Sequence, residues 1–112
     1  MKIKKQFVDL IYNGQKQYEF RNSIDKEGIY KIKDKLFQLK LDQHRFDFRI
    51  YKSMNISTEK IEYYFCSLKI TEQEYEWIKK NIDYFVKNNE TYVAIYKWEK
   101  LLSNEKELEI IE

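Results

Sequence analysis

Side chains alternate between polar and apolar along most of this chain, and this alternation limits its fold more than any other feature. A period of two places successive side chains on opposite faces of a β-strand. The pattern predicts a brief strand at Ile29–Ile32 and longer strands at Lys16–Asn22, Leu36–Leu41, Arg45–Tyr51, Lys60–Ile70 and Thr91–Glu99. Apolar residues occupy both faces of Thr91–Glu99, so we expect that strand at the centre of a sheet.

Two neighbouring strands of this set are expected to form a β-hairpin. Leu36–Leu41 and Arg45–Tyr51 are separated only by Asp42-Gln43-His44, a polar and turn-like triplet. The next segment, Lys52–Thr58, is polar and is predicted to be a loop. The outward face of the hairpin would then bring together Lys40, Arg45, Arg49 and Tyr51.

Helical spacing is found in two segments. In Lys4–Asn13 the residues Phe7, Leu10 and Ile11 share one face, and Gly14 follows as a stop. In the second segment Thr71-Glu72-Gln73-Glu74 is a capping box, which predicts a helix start at this point. Apolar residues continue this helix at spacings of three and four, through Tyr75, Ile78, Ile82 and Phe85, up to Asn88-Asn89.

The order of these elements predicts a single α+β domain. The chain has 112 residues, which is near the commonest size of one domain. Antiparallel hairpins with few helices favour a small curled sheet or β-barrel over a doubly wound fold. We expect the domain over residues 1–102, with a short N-terminal helix and a longer helix before the last strand. An acidic tail would occupy residues 103–112.

Cysteine content and charge suggest where the protein works and what it meets. The lone cysteine, Cys66, excludes an internal disulfide and fits a reducing, cytoplasmic location, where we expect it to be a buried thiol. There is no long apolar run and no signal-like start. Residues 1–52 hold 13 basic and 7 acidic side chains, whereas residues 53–112 hold 8 and 12. The basic half fits either an anionic partner or an ordinary lysine-rich surface.

Lys16, Glu19 and Arg21 form the first group of candidate site residues. Arg21 is suited to a phosphate or a base edge, because its planar guanidinium donates two parallel hydrogen bonds. Lys16 is an anion contact, or a nucleophile if burial lowers its pKa. Glu19 would orient either cation or accept a proton. The alternative is a surface ion pair between Glu19 and Arg21.

The expected hairpin face supplies a second group, consisting of Lys40, Arg45, Arg49 and Tyr51. Cations beside an aromatic ring suit single-stranded nucleic acid, because rings stack on bases while cations follow the phosphates. An ordinary solvent face is the alternative. No cofactor or metal site is expected, since the only histidine, His44, stands alone in a predicted turn and no phosphate-binding glycine loop is present.

The stretch from Phe7 to Arg21 resembles the opening of ASCH domains, a branch of the PUA-like β-barrels. That family begins with a short helix, a glycine, a lysine two residues later and a strand reading roughly Tyr-Glu-hydrophobic-Arg. The corresponding residues are Gly14, Lys16, Glu19 and Arg21. Near the end of the chain, a helix leading into Tyr92-Val93-Ala94-Ile95 is a second point of similarity, whereas the middle, Phe37–Tyr51, departs from the family pattern.

The resemblance implies a cleft beside the first strand that takes RNA or a modified nucleoside. Some small ASCH members are amidohydrolases that remove an acetyl group from modified cytidine. In them a lysine at the position of Lys16 acts with a threonine three residues later and a downstream glutamate. Here Glu19 stands at the threonine position, and the sequence does not place the downstream glutamate. We therefore expect a binding module, with amidohydrolysis as the enzymatic variant, in which Lys16 and Glu19 would be catalytic.

A second class of function fits the same sequence. Ten Tyr, seven Phe and two Trp are a surplus of aromatic residues for so small a domain, and exposed apolar patches mark protein partners. A protein–protein interaction module, such as a mobile-element-encoded inhibitor or regulator of a nucleic-acid-handling complex, is the alternative. The rings of Trp77, Tyr92, Tyr96 and Trp98 are expected in the core or at its edge.

Overall fold

The computed structural model describes residues 1–101, which form two α-helices, a 3-10 helix and nine β-strands. The helices are α1 (Lys5–Tyr12) and α2 (Glu72–Lys80), with the 3-10 helix at Ile82–Phe85. The strands are β1 (Tyr18–Arg21), β2 (Gly28–Ile32), β3 (Lys35–Arg45), β4 (Ile50–Asn55), β5 (Lys60–Phe65), β6 (Leu68–Ile70), β7 (Val86–Lys87), β8 (Glu90–Thr91) and β9 (Val93–Lys100). The predicted acidic tail, residues 103–112, lies outside the described residues.

Antiparallel pairing organises the strands into a main sheet and two smaller ones. The main sheet has the order β1-β9-β3-β2, the second has the order β4-β5-β6, and β7 pairs with β8. The prediction of an α+β fold built on antiparallel sheet is confirmed, and so is the central position of the last strand.

Strand β9 is central because both of its faces are apolar. Val93 and Ile95 belong to one buried cluster, which also contains residues of α2 and the second sheet. Ala94 and Tyr96 point the other way, into a cluster completed by Ile11 of α1. Alternate side chains over Val93–Tyr96 therefore hold two layers together and leave no wet face there, whereas Lys97 and Glu99 farther along the strand are exposed.

A glycine turn carries the chain from α1 into β1. Gly14 has φ of +83°, a left-handed conformation that glycine adopts without the steric cost of a Cβ. The amide of Lys16 then donates to the carbonyl of Leu10 at 2.9 Å, which ties the turn back to the helix. The turn fixes Lys16 between α1 and β1, the position from which its side chain enters the protein.

The predicted hairpin of Leu36–Leu41 and Arg45–Tyr51 is wrong. Asp42-Gln43-His44 is not a turn but part of the single long strand β3, which continues past it because β9 remains its partner. A bulge between Leu41 and Gln43 absorbs the extra residue. The chain leaves the sheet only after Arg45, and the predicted loop Lys52–Thr58 contributes most of β4, which pairs with β5 instead.

Two further boundaries differ from the prediction. Lys60–Ile70 is two strands, because Cys66 and Ser67 both adopt positive φ and form a tight turn between β5 and β6. The capping box is present as predicted, but α2 ends at Lys80, where the side chain of Asn81 donates to the carbonyl of Trp77 at 2.7 Å. Neither α-helix of the described chain is long and apolar enough to cross a membrane.

Candidate functional site

A pocket of about 360 Å³ opens between α1, β1 and α2. The N-terminal segment and the 3-10 helix complete its wall. A volume of this size is within the range of pockets that bind small molecules. The lining residues are Lys2, Lys4, Phe7, Lys16, Glu19, Phe20, Arg21, Glu74, Trp77, Ile78 and Tyr84. All three residues of the first predicted group, Lys16, Glu19 and Arg21, are among them.

Lys16 is the most deeply placed cation of this pocket. Its side chain is only 4% exposed. The ammonium donates to Glu74 Oε2 at 2.8 Å and to the carbonyl of Tyr18 at 2.6 Å. It also lies 5.2 Å from the centre of the Phe7 ring and 5.5 Å from that of Phe20. These contacts give the buried ammonium both a counter-charge and acceptors, which it needs in an apolar surrounding.

Glu74 is held in place by the N-terminus of α2. Its Oε1 accepts from the amide and the hydroxyl of Thr71, both at 3.0 Å, and this leaves Oε2 for Lys16. The same carboxylate therefore completes the capping box and neutralises the lysine. Its side chain is 3% exposed. A glutamate at this position also lies favourably in the field at the start of a helix.

Glu19 carries the second buried carboxylate. Its Oε2 accepts from Arg21 Nη2 at 2.9 Å, and its Oε1 accepts from the indole Nε1 of Trp98 at 3.2 Å. Oε1 also lies 3.7 Å from the ammonium of Lys16. The prediction of a wet face on this strand is wrong at Glu19, which is buried because Lys16, Arg21 and Trp98 replace water around it. Glu74, Lys16, Glu19 and Arg21 thus alternate in charge along one network.

The mouth of the pocket is basic. Lys2 and Lys4 line it with exposed side chains, and neither forms an ion pair within residues 1–101. Four cations and two carboxylates line the pocket, so the excess positive charge lies at its mouth. Arg21 anchors this segment by donating from Nη2 to the carbonyl of Lys2 at 3.2 Å.

Aromatic rings form the apolar walls. Phe7 and Phe20 flank Lys16, while Trp77 and Tyr84 contact each other edge to face, with ring centres 5.8 Å apart. Such walls suit a flat, partly polar ring, which stacks on aromatic faces while its edge is hydrogen-bonded. Flat aromatic walls, a buried charged network and a basic mouth therefore meet in one pocket.

The second predicted group is not assembled. Lys40 projects from β3 opposite Lys97, while Arg45 pairs with Asp47 at 2.8 Å and donates to the carbonyl of Cys66 at 3.0 Å. Arg49 lies in the connection to β4. Tyr51 lies in the other sheet, stacked on Tyr64. None of these four lines the pocket, and the reason for grouping them disappears with the hairpin.

Sequence reasoning missed several residues of the pocket. The capping box accounts for Glu74 as a helix cap, although a second carboxylate oxygen is left over in such a box. Lys2 and Lys4 enter the sequence argument only within the basic charge of residues 1–52. Trp77 was assigned to the core edge, where it does lie, half-buried. The excess of basic residues in the first half of the chain was the only sequence signal for the two lysines at the pocket.

Other features of the described residues bear on the remaining expectations. Cys66 is buried, as predicted, and burial raises the pKa of its thiol. Tyr96 and Trp98 are core residues, and Tyr92 is half-buried beside His44. No three His, Cys, Asp or Glu side chains within residues 1–101 are grouped so as to hold a metal ion. The most exposed apolar side chains of the second sheet are Met54, Ile56 and Ile61, at the tip of the β4–β5 hairpin.

Comparisons with protein-family models, with curated proteins and with solved structures gave no match.

Proposed function

We propose that this chain is an ASCH-type, PUA-like domain that binds a nucleoside of RNA, modified or unmodified, in the pocket around Lys16. One observation supports the proposal above all others. The lysine, glutamate and arginine of the ASCH-like opening converge on the same concave, aromatic-walled pocket instead of facing open solvent. Buried charged groups are costly to maintain and are concentrated at functional sites.

The network offers both kinds of hydrogen-bonding partner to a base edge. Lys16 and Arg21 are donors, and the carboxylates of Glu19 and Glu74 are acceptors with lone pairs to spare. A base whose edge alternates amino and carbonyl groups would match this alternation. The rings of Phe7 and Trp77 would cover its faces. Single-stranded RNA is the form whose bases are free to enter such a pocket.

Binding is tested by titrating single-stranded RNA, with single-stranded DNA in parallel, across a salt series. The two tryptophans of the chain report on the pocket directly, since Trp77 lines it and Trp98 donates to Glu19. We expect salt-dependent binding that a Lys16→Met/Glu74→Gln variant loses, because that variant removes the central pair without leaving either charge alone. Binding that is unaffected by this variant would contradict the proposal.

Hydrolysis of acetylated cytidine is the enzymatic form of the same proposal, and the position of Glu74 favours it. The ASCH resemblance calls for a lysine with a downstream glutamate, and Glu74 Oε2 lies 2.8 Å from Lys16 Nζ. Glu74 would take a proton from water as the water adds to the acetyl carbonyl, and Lys16 would stabilise the oxyanion. Cleavage of the carbon–nitrogen bond, with the proton passed to the departing amine, gives acetate and cytidine.

One departure from the family pattern bears on this reaction. Glu19 stands where those amidohydrolases carry threonine, and the hydroxyl near the lysine–glutamate pair is that of Thr71, which donates to Glu74. Incubation with N4-acetylcytidine, followed by chromatographic detection of cytidine, tests the activity. Product formed by the wild type but not by Glu74→Gln would support hydrolysis. An inactive wild type that still binds RNA would restrict the protein to binding.

One observation supports the alternative, a protein-interaction function. Met54 and Ile61 are cross-strand partners at the tip of the β4–β5 hairpin, and Ile56 in its turn is 90% exposed. Exposed apolar patches are typical of protein contacts. If RNA does not bind, a Met54→Ser/Ile56→Ser variant that loses a protein partner retained by Lys16→Met/Glu74→Gln would favour this alternative.

A further inference from the structure

From the charges at the pocket mouth we infer that the ligand carries an anionic phosphate, held by Lys2, Lys4 and Arg21. The pocket would then take a nucleoside phosphate, either a mononucleotide or a nucleotide within a strand, in preference to a neutral nucleoside. This inference rests on the proposed function and adds the chemical class of the ligand to it.

The balance of charge inside the pocket is the first step. Both carboxylates are already paired, Glu74 with Lys16 at 2.8 Å and Glu19 with Arg21 at 2.9 Å. Lys2 and Lys4 have no such partner within the described chain. Two positive charges therefore remain uncompensated at the mouth. A phosphate monoester carries up to two negative charges at neutral pH, which complements them.

The hydrogen-bonding capacity of Arg21 is the second step. Its two bonds to neighbours in the described residues, to Glu19 and to the carbonyl of Lys2, both leave from Nη2. Nε is buried without an acceptor, and Nη1 donates to none of the described residues. A guanidinium has five donors in a planar fork that matches two phosphate oxygens. Arg21 is thus oriented by Nη2, while Nη1 is left for a ligand.

The position of the carboxylates fixes the orientation of the ligand. Glu19 and Glu74 lie at the buried end of the pocket, at 6% and 3% exposure, and would repel a phosphate. Lys2 and Lys4, which also line the pocket, are exposed. The base must then enter first, toward Lys16, while the phosphate stays at the mouth. This arrangement keeps the phosphate partly solvated, so its desolvation cost is small.

Intrinsic tryptophan fluorescence measures the affinity for each ligand and so tests the inference. The four ribonucleosides and N4-acetylcytidine are titrated at low salt beside their 5′- and 3′-monophosphates and a short single-stranded RNA. The proteins are the wild type, Lys2→Ala/Lys4→Ala and the control Lys31→Ala/Lys87→Ala. The control loses the same charge from exposed lysines that do not line the pocket. Neither substitution removes a core contact.

We expect the wild type to bind a monophosphate at least about tenfold more tightly than its nucleoside, since each charge-assisted bond contributes that much or more. Lys2→Ala/Lys4→Ala should lower monophosphate affinity by a larger factor than nucleoside affinity and so reduce this preference, whereas the control should keep it. Equal affinities for monophosphate and RNA would identify a mononucleotide ligand, whereas tighter RNA binding that the variant loses would identify a strand phosphate.

Two results would overturn the inference, and they differ in their consequence. If nucleosides and monophosphates bind equally, and Lys2→Ala/Lys4→Ala changes neither affinity, the phosphate is not recognised but the proposed nucleoside pocket stands. If no nucleoside, monophosphate or RNA binds to the wild type, the inference falls together with the proposed function.

Discussion

The ammonium of Lys16 and the carboxylate of Glu74 lie 2.8 Å apart, although 58 residues separate them along the chain. One follows the glycine turn after α1, and the other lies in the first turn of α2. Their contact joins the N-terminal helix and first strand to the second helix at the buried end of the pocket. The pair therefore connects the stability of the domain to the geometry of its candidate site.

Removing one member of this pair should cost more than removing both. Lys16→Met leaves Glu74 buried without its counter-charge and should lower the free energy of unfolding by about 3–5 kcal/mol. Lys16→Met/Glu74→Gln should cost less than the single change, because no buried charge is left alone. Urea unfolding of the wild type, both single variants and the double variant measures the coupling. A loss in the double variant equal to the sum of the two single losses would show that the pair is not coupled.

Thr71 should stabilise both the helix start and Glu74. Its hydroxyl accepts from the amide of Glu74 at 3.2 Å and donates to Glu74 Oε1 at 3.0 Å. Thr71→Ala should therefore lower the free energy of unfolding by about 1–2 kcal/mol, the usual cost of losing an N-cap. Thr71→Ser keeps the hydroxyl and is the matched control. A serine variant as unstable as the alanine variant would show that the hydroxyl is not the stabilising group.

Substitution of Gly14 should destabilise the protein because of its backbone conformation alone. Its φ is +83°, and a Cβ built there meets no atom within 4 Å, so crowding has no part in the effect. Gly14→Ala should cost about 1 kcal/mol in thermal or urea unfolding, because alanine is strained in the left-handed region. Gly14→Asn should cost less, since asparagine tolerates that conformation. An alanine variant as stable as the wild type would mean that the turn shifts to a conformation that alanine adopts without strain.

The buried thiol of Cys66 should make the folded protein less stable at alkaline pH. Burial raises the pKa of its thiol above the value in the unfolded chain. The neutral thiol is favoured in the folded state, so its contribution is complete below about pH 8.5, the ordinary thiol pKa, and is lost as the pH rises from there toward the raised value. The wild type should lose more stability over this range than Cys66→Ala. If the free energy of unfolding falls equally with pH in both proteins, the loss does not come from the thiol of Cys66.

The same burial should make Cys66 slow to react. The thiol is 1% exposed, and the thiolate is the reactive form. Labelling by a disulfide reagent near pH 8 should be slow in the native protein and fast in denaturant. Fast native labelling would show that the turn between β5 and β6 opens readily.

Local patterns predicted the elements whose partners are close in sequence or apolar on both faces. The capping box at Thr71, the stop at Gly14 and the central position of β9 follow from such patterns, and all three are present. The hairpin prediction failed because Asp42-Gln43-His44 has the composition of a turn, while pairing with the distant strand β9 keeps it extended. Periodicity contains no information about a partner some fifty residues away.

The candidate site shows the same limit. Glu19 and Arg21 could be grouped because alternate residues of one strand share a face, and Lys16 joined them through the ASCH-like pattern. Glu74 could not, because only the fold brings α2 to β1, and its capping role already explained its presence in the sequence. Lys2 and Lys4 were recognisable only as part of an excess of positive charge.

Ultraviolet cross-linking of single-stranded RNA to the wild type, followed by mass spectrometry of the linked peptides, tests the central claim most directly. A nucleoside held in the pocket must contact its aromatic walls, so we predict cross-links on the peptides that carry Phe7, Trp77 or Tyr84. Lys16→Met/Glu74→Gln should lose them. Cross-links confined to Tyr51 and Tyr64 on the second sheet, unchanged in that variant, would show that RNA binds elsewhere and would contradict the account.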